Sequence, residues 1–253
     1  MKRPNIVLMV ASSVDGRIAI RPNITMWEEM NDHRTQTAGG SEIWKEVEDS
    51  ITHAYKPQGD ILGSNSLVKE GEPLRILPSF EGDSKYLYDD FLPDEAINRK
   101  NHKSWLIVVD GKGRLRSGYQ GDESTGRYMV HLVSHGVQPE YLYFLQQNNI
   151  PYLISGEERI DLKLAMEKLK NKLGIDNLVT TAGGKLSGAL LREGLIDEVN
   201  IVFKPLLYGG FKTPCLFDSP ELKDNEEPSK LQLIKSTTYK NGHVWLRYKV
   251  ASK

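Results

Sequence analysis

Short apolar runs recur along the chain with amphipathic stretches of helical period between them. That alternation predicts an α/β fold in which a mostly parallel central sheet is covered on both faces, a three-layer arrangement. Strands are expected at Asn5–Ala11, Asp60–Leu62, Trp105–Val109, Tyr128–Val133, Pro151–Ile154, Asn177–Thr181 and Val199–Phe203. Helices are expected at Ser41–Tyr55, Gln138–Gln147, Asp161–Leu173 and Lys185–Glu193. Ser41 and Asp161 are natural caps, because a short oxygen-bearing side chain can accept from a first-turn N–H. Leu162, Ala165, Met166 and Leu169 share one helical face, which core packing explains. Toward the C-terminus the period changes. Leu231–Tyr239 and His243–Val250 flank Lys240-Asn241-Gly242, and Asn-Gly between alternating segments marks an antiparallel hairpin closing the sheet. Residues 21–40 and 63–103 show no clear period; loops of that length are often functional. Asp218 to Lys230, rich in charge and proline, reads as an exposed connection. No boundary between folding units stands out, so a single domain over 1–253 is expected.

Composition narrows the function classes. Across 253 residues, 33 Lys and Arg nearly balance 34 Asp and Glu, so no global field draws the chain to nucleic acid. The apolar run Ile6 to Ala11 is too short to span a bilayer, and Asp15 and Arg17 follow where a signal peptide wants small neutral residues. It reads as the first core strand of a cytoplasmic protein with no membrane partner. The single cysteine, Cys215, excludes an intramolecular disulfide and a cysteine-built zinc site. His131 and His135 are four apart on a strand and turn, with no completing ligand, so no metal is expected. The zinc deaminase signature and the Gly-x-Ser-x-Gly elbow are both absent.

The most informative segment is 177–210. An apolar run ending at Ala182 meets Gly183 and Gly184, a helix follows and stops at Gly194, and a second strand begins near Val199. Strand, glycine turn and helix together point backbone N–H groups at an anion above the turn, most simply a cofactor pyrophosphate. Glycine lets that ligand come close, and Gly184 is expected to be where it does. The spacing matches neither the Gly-x-Gly-x-x-Gly fingerprint nor a P-loop. As spacing alone it fits a structural turn as well as a phosphate site.

With Ser12-Ser13-Val14-Asp15-Gly16-Arg17-Ile18-Ala19, Asp60-Ile61-Leu62-Gly63-Ser64 and Tyr152-Leu153-Ile154-Ser155-Gly156-Glu157, the segment resembles the pyrimidine reductase domain of riboflavin biosynthesis. That family has a dihydrofolate-reductase-like fold. The resemblance implies NADPH as cofactor and a phosphorylated aminopyrimidine as substrate, whose ribosyl group is reduced to ribityl. It also implies a homodimer, by analogy. Carried over position by position, it makes Ala11, Ser66, Glu70, Ser155, Gly156, Gly183, Gly184, Lys185 and Leu186 cofactor residues. Ser13 and Thr181 border the substrate, and Asp15 is the nearest candidate for proton donor. Lys112, in the cationic loop with Arg114 and Arg116, could bind the 2′-phosphate that distinguishes NADPH from NADH. Ser66 and Glu70 stand where the family tends to have Thr and Asp. Lys204-Pro205, at a strand end, needs no function.

Two positions depart from the family pattern. Met9 stands where a lysine is usual, and Thr181 where a glutamate is usual; both family residues contact substrate. The competing readings are therefore a reductase of a pterin or another carbonyl or imine compound, and a non-catalytic nucleotide-binding module.

Overall fold

A computed structural model of the chain describes residues 2–251. In chain order its elements are β1 (Asn5–Ser13), α1 (Met26–Asn31), α2 (Gly40–Tyr55), β2 (Gly59–Gly63), α3 (Asp94–Ile97), β3 (Ser104–Val109), β4 (Gly121–Asp122) and β5 (Arg127–Val133). Then follow α4 (Pro139–Gln147), β6 (Tyr152–Ile154), α5 (Leu162–Leu173), β7 (Asn177–Thr180), α6 (Gly184–Arg192), β8 (Glu198–Lys204), β9 (Leu231–Thr238) and β10 (Val244–Val250). The fold is α/β and mostly parallel, with antiparallel strands at the C-terminus, as the pattern predicts. The residues form two compact units, one of Gln58–Ser64 and Glu70–Leu178 with the N-terminus up to Pro4, the other of Asn5–Pro57, Asn65–Lys69 and Val179–Lys253.

In the first unit β2 pairs parallel with β3, β3 with β5, and β5 with β6. The short β4 adds antiparallel to β5. Its core joins Val133, Tyr152 and Ile154 to Val137, Tyr141, Leu142 and Leu145 around α4. α5 starts as expected, with the Asp161 carboxylate accepting from Leu164 N, and stops at Gly174, whose φ of 65° closes the last turn.

In the second unit β1 and β8 run parallel, in register from Val7↔Glu198 to Ser13↔Lys204. β10 pairs antiparallel with β8 and with β9, which is the expected hairpin. Ile43, Val47 and Ile51 line one face of α2 and pack with Val7, Met9, Val202 and Trp245. Each such apolar side chain contributes roughly 1.5–3 kcal/mol by leaving water. The expected cap of α2 is displaced: Gly39 occupies the cap position at φ 71°, and Ser41 lies inside the first turn. The hairpin tip explains this. Asn241 Nδ2 donates to Ala38 O at 2.7 Å, and a Cβ on Gly39 would lie 2.5 Å from that nitrogen.

Within the stretch 21–40 the chain forms α1, which the apolar pattern does not announce because none of its residues is buried. Its signal was local: Thr25 and Glu28 make a reciprocal capping box.

Candidate active site

The exit of β1 is a tight turn built by its own polar side chains. Ser13 Oγ donates to Asp15 Oδ1 at 2.6 Å and accepts from Arg17 N at 3.0 Å. The Asp15 carboxylate also accepts from Tyr208 N at 3.0 Å and Gly209 N at 2.7 Å. With so many donors aimed at its charged form, beginning with the Ser13 hydroxyl, its pKa is lowered to about 2. A carboxylate held there is ionised at neutral pH and has no proton to give. Asp15 therefore fastens the 208–209 backbone to the end of β1. Ser13, fully buried, spends its hydroxyl on the same turn.

The glycine turn lies in the same unit. Ala182 N donates to Thr180 Oγ1 at 3.2 Å, and Ser187 Oγ donates to Ala182 O at 3.0 Å. Gly183 caps α6 at φ −64°, ψ 164°, without a side-chain hydrogen bond. A Cβ on Gly183 would meet nothing within 4 Å, and among the described residues the N–H groups of Gly183 and Gly184 donate to no acceptor. The helix thus offers two unpaired donors beside open space, which suits an anion.

Gly184 is a glycine for a different reason from the one its spacing suggests. A Cβ there would lie 2.2 Å from Cys215 O and 2.6 Å from Asp218 Oδ2, so the protein itself fills the space. Gly184 O accepts from Asp218 N at 3.0 Å, and Gly188 is crowded by the same turn. Asp218 is therefore part of the built structure, unlike the exposed residues that follow it. The strap 213–218 also reaches the β1 exit. Ile18 N donates to Pro214 O and Leu216 N to Gly16 O, while Arg17 Nη1 donates to Thr213 O at 2.9 Å and lies 2.6 Å from Cys215 Sγ. One strap thus holds both the β1 turn and the start of α6. Ala11, Thr181 and Leu186 are half-buried nearby in sequence, and Lys185 is exposed.

Three groups in this unit gave no sequence signal. Glu29 Oε2 accepts from Ile20 N at 3.1 Å, while its other oxygen is buried without a partner among the described residues. Burial raises its pKa. Lys204 Nζ donates to Thr35 O at 3.1 Å, and burial lowers its pKa despite the attraction of Glu29. The buried Tyr208 hydroxyl also has no partner among the described residues, and desolvation pushes its pKa up to about 12. Lys204, which as a strand-end residue needed no function, thus ties the long 21–40 stretch to β8. The two carboxyls at this end of β1 are driven in opposite directions, Asp15 by donors and Glu29 by desolvation.

Met9 belongs to the apolar core. It is 3 % exposed and packed among Val7, Ile43, Val47, Val202 and Trp245, where a lysine would be a buried cation. Ser66 is half-buried at the end of a 3₁₀ turn, and Glu70 is exposed.

In the first unit Ser155 is fully buried, and its hydroxyl has no partner among the described residues. Gly156 has φ 87°, and a Cβ would lie 2.1 Å from Arg159 O, so the local turn demands glycine irrespective of any ligand. Lys112 is exposed on the loop after β3. Arg116 is turned inward, Nε donating to Gly113 O and Nη1 to Arg75 O, both at 2.9 Å. No helix of the described residues is long and apolar enough to cross a membrane.

The sequence matches the family model described as the RibD C-terminal domain over residues 4–245. It is 25% identical over 240 residues to the 2,5-diamino-6-ribosylamino-4(3H)-pyrimidinone 5′-phosphate reductase of Methanothermobacter thermautotrophicus, covering 93% of this chain and 94% of that protein. The structure is similar to a pyrimidine reductase-like protein from Corynebacterium diphtheriae, with TM-score 0.65 and 13% identity over 99% of this chain and 93% of that one. It is also similar to the riboflavin biosynthesis reductase Rib7 of Saccharomyces cerevisiae, with TM-score 0.58 and 15% identity over 98% and 90% of the two chains. At such identities the structural likeness speaks for the fold.

Proposed function

The chain belongs to the RibD C-terminal domain family, and on that footing we propose that it is an NADPH-dependent reductase acting on a phosphorylated ribosylaminopyrimidine. The observation that carries the reading is the start of α6, where the N–H groups of Gly183 and Gly184 have no acceptor among the described residues and the space beside Gly183 is open. These would hold the pyrophosphate, with Lys185 beside them. Bound NADPH would supply the hydride, delivered to C1′ of the substrate's sugar. The protein's own part is to position and desolvate. Asp15 and Ser13 fix the turn after β1, the 213–218 strap keeps that turn and the α6 terminus in one arrangement, Ser13 and Thr181 border the acceptor, and Ala11 lies on the cofactor side. Ser66, Glu70, Ser155 and Gly156 extend the cofactor side by family analogy. That analogy also makes the protein a homodimer, and the exposed Leu231, Leu233 and Ile234 of β9 offer apolar surface to a second copy. The test is turnover: oxidation of NADPH that depends on the phosphorylated ribosylaminopyrimidine and yields its ribityl product. Thr181 and the core position of Met9 favour a second reading, a diverged reductase of a pterin or another carbonyl or imine compound. Tight NADPH binding with no turnover on the pyrimidine would point there, or to a non-catalytic nucleotide-binding module if every such substrate fails.

A further inference from the structure

The loops that leave β1 and β8 carry apolar side chains that the rest of the chain leaves in water. The two strands run parallel, so both loops emerge at one end of the pair. Val14 is 61 %, Leu207 76 % and Phe211 107 % exposed. A lone exposed phenylalanine needs no explanation. Phe211, however, stands on a support that the chain builds around it.

On one side Asp15 accepts from Tyr208 N at 3.0 Å and Gly209 N at 2.7 Å, and Ser13 Oγ donates to the same carboxylate. On the other, Thr213 is buried, and its carbonyl accepts from Arg17 Nη1 at 2.9 Å. Val14 N donates to Leu206 O at 2.8 Å and joins the two loops once more. Between these anchors lie Gly210, Phe211 and Lys212. Gly209 and Gly210 turn the chain at φ 68° and 85°, and a Cβ on Gly210 would lie 2.1 Å from Thr213 Oγ1. The tip is therefore tightly made, and glycine is required to make it. Tyr208 is half-buried, whereas Phe211 is held wholly in solvent. A ring so held gives up little freedom when a flat partner covers it, and the stacking goes into affinity. Having no donor or acceptor, it favours a planar ring over a sugar or a phosphate. In the reading above Ser13 borders the acceptor, and Ser13 reaches the tip through Asp15 alone. The glycine turn meets the strap farther along, where Gly184 packs on Cys215 and Asp218.

We propose that Phe211 is a specificity-determining residue that stacks on the pyrimidine ring of the substrate, with Asp15 as the positioning residue that holds its loop. The proposal rests on the reductase reading. Its test compares wild type, Phe211→Ala, Phe211→Tyr, Asp15→Asn and the double variant Asp15→Asn with Phe211→Ala. The measurements are KM and kcat on the phosphorylated ribosylaminopyrimidine, the NADPH dissociation constant and the melting temperature. Phe211→Ala raises KM about three- to tenfold, the worth of one stacked ring face. It leaves kcat, NADPH affinity and the melting temperature near wild type, and Phe211→Tyr keeps the wild-type KM. Asp15→Asn raises KM as well, but adds little to it once Phe211 is alanine, because the two act through one contact. An unchanged KM in Phe211→Ala overturns the proposal, and so does an equal loss of NADPH affinity or a KM in Phe211→Tyr as high as in the alanine variant. An altered oligomeric state with unchanged KM overturns it in favour of a contact between copies. Full additivity of the two substitutions removes Asp15 from the mechanism, and if Asp15→Asn does not fold, the Phe211 variants decide. A wild type that binds NADPH without turning over the pyrimidine refutes the reductase reading and the proposal together, whereas normal turnover in Phe211→Ala refutes the proposal alone.

Discussion

Replacing Gly183 by valine should weaken NADPH binding without weakening the fold. The backbone at Gly183, φ −64° and ψ 164°, is extended and suits a β-branched residue. A Cβ there meets no atom within 4 Å. Two small terms act on stability. A side chain narrows the unfolded ensemble and stabilises by about 0.4–1 kcal/mol, while valine caps a helix less well than glycine, by up to about 1 kcal/mol. They nearly cancel, so the melting temperature should stay within a few degrees. Binding has no such cancellation. The isopropyl group would stand in the space from which the Gly183 and Gly184 N–H groups are reached. A hydrogen bond to a charged group contributes about 1.5–3 kcal/mol, so one lost bond weakens binding roughly ten- to a hundredfold, and two by the product. Fluorescence or calorimetric titration with NADPH measures it. A folded Gly183→Val protein with wild-type affinity would show that the pyrophosphate lies elsewhere.

Gly184→Ala should instead destabilise the fold by about 1–3 kcal/mol through overpacking, seen as a lower melting temperature before any cofactor is added, because its Cβ would lie 2.2 Å from Cys215 O. Met9→Lys should unfold or strongly destabilise the protein, since an unpaired ammonium would enter the cluster of Val7, Val47 and Trp245; substrate effects are better sought with Thr181→Glu alone, by turnover on the pyrimidine. Asp15→Asn should lower stability in a pH-dependent way. The folded-state pKa is depressed to about 2, so the charged form's contribution is complete above the unfolded value of roughly 4 and fades as pH falls toward the folded one. The melting-temperature gap between wild type and variant should be constant near neutrality and close between about pH 4 and 2; a gap that widens in acid would contradict the donor set found around Asp15.

Much of the fold was legible because it depends on local period. The runs that became β1, β3, β5 and β8 needed only their apolar content, and Asp161 announced α5 by its chemistry. What escaped depends on distant partners. Nothing near Gly184 in sequence reveals that Cys215 and Asp218 fill its Cβ position. Met9 was ambiguous because β1 is buried nearly throughout, Ile6 to Val10 without interruption, so no alternation tells which side chain faces a helix and which a ligand. Ser41 was displaced as a cap by Asn241, far along the chain. Glu29 and Lys204 gave no pattern, since half-burial of a charge is a property of packing rather than of spacing. Of the candidate site, the location of the glycine turn was readable; the division of labour between its two glycines was not.

The discontinuity of the second unit bears on how the protein is made. Ile6 N meets Asp197 Oδ2 across 191 residues, and Asp15 meets Tyr208 and Gly209 across 193 and 194. The first unit is almost one continuous segment, synthesised before most of the second. β1, synthesised at the outset, must wait for β8, and the turn it feeds must wait for the strap beyond it. On a ribosome adding about 5–20 residues per second, that leaves the β8 edge of an apolar strand open for roughly ten seconds or longer. Loss of the C-terminal quarter would therefore remove β8 and leave one edge of β1 open, an aggregation-prone state.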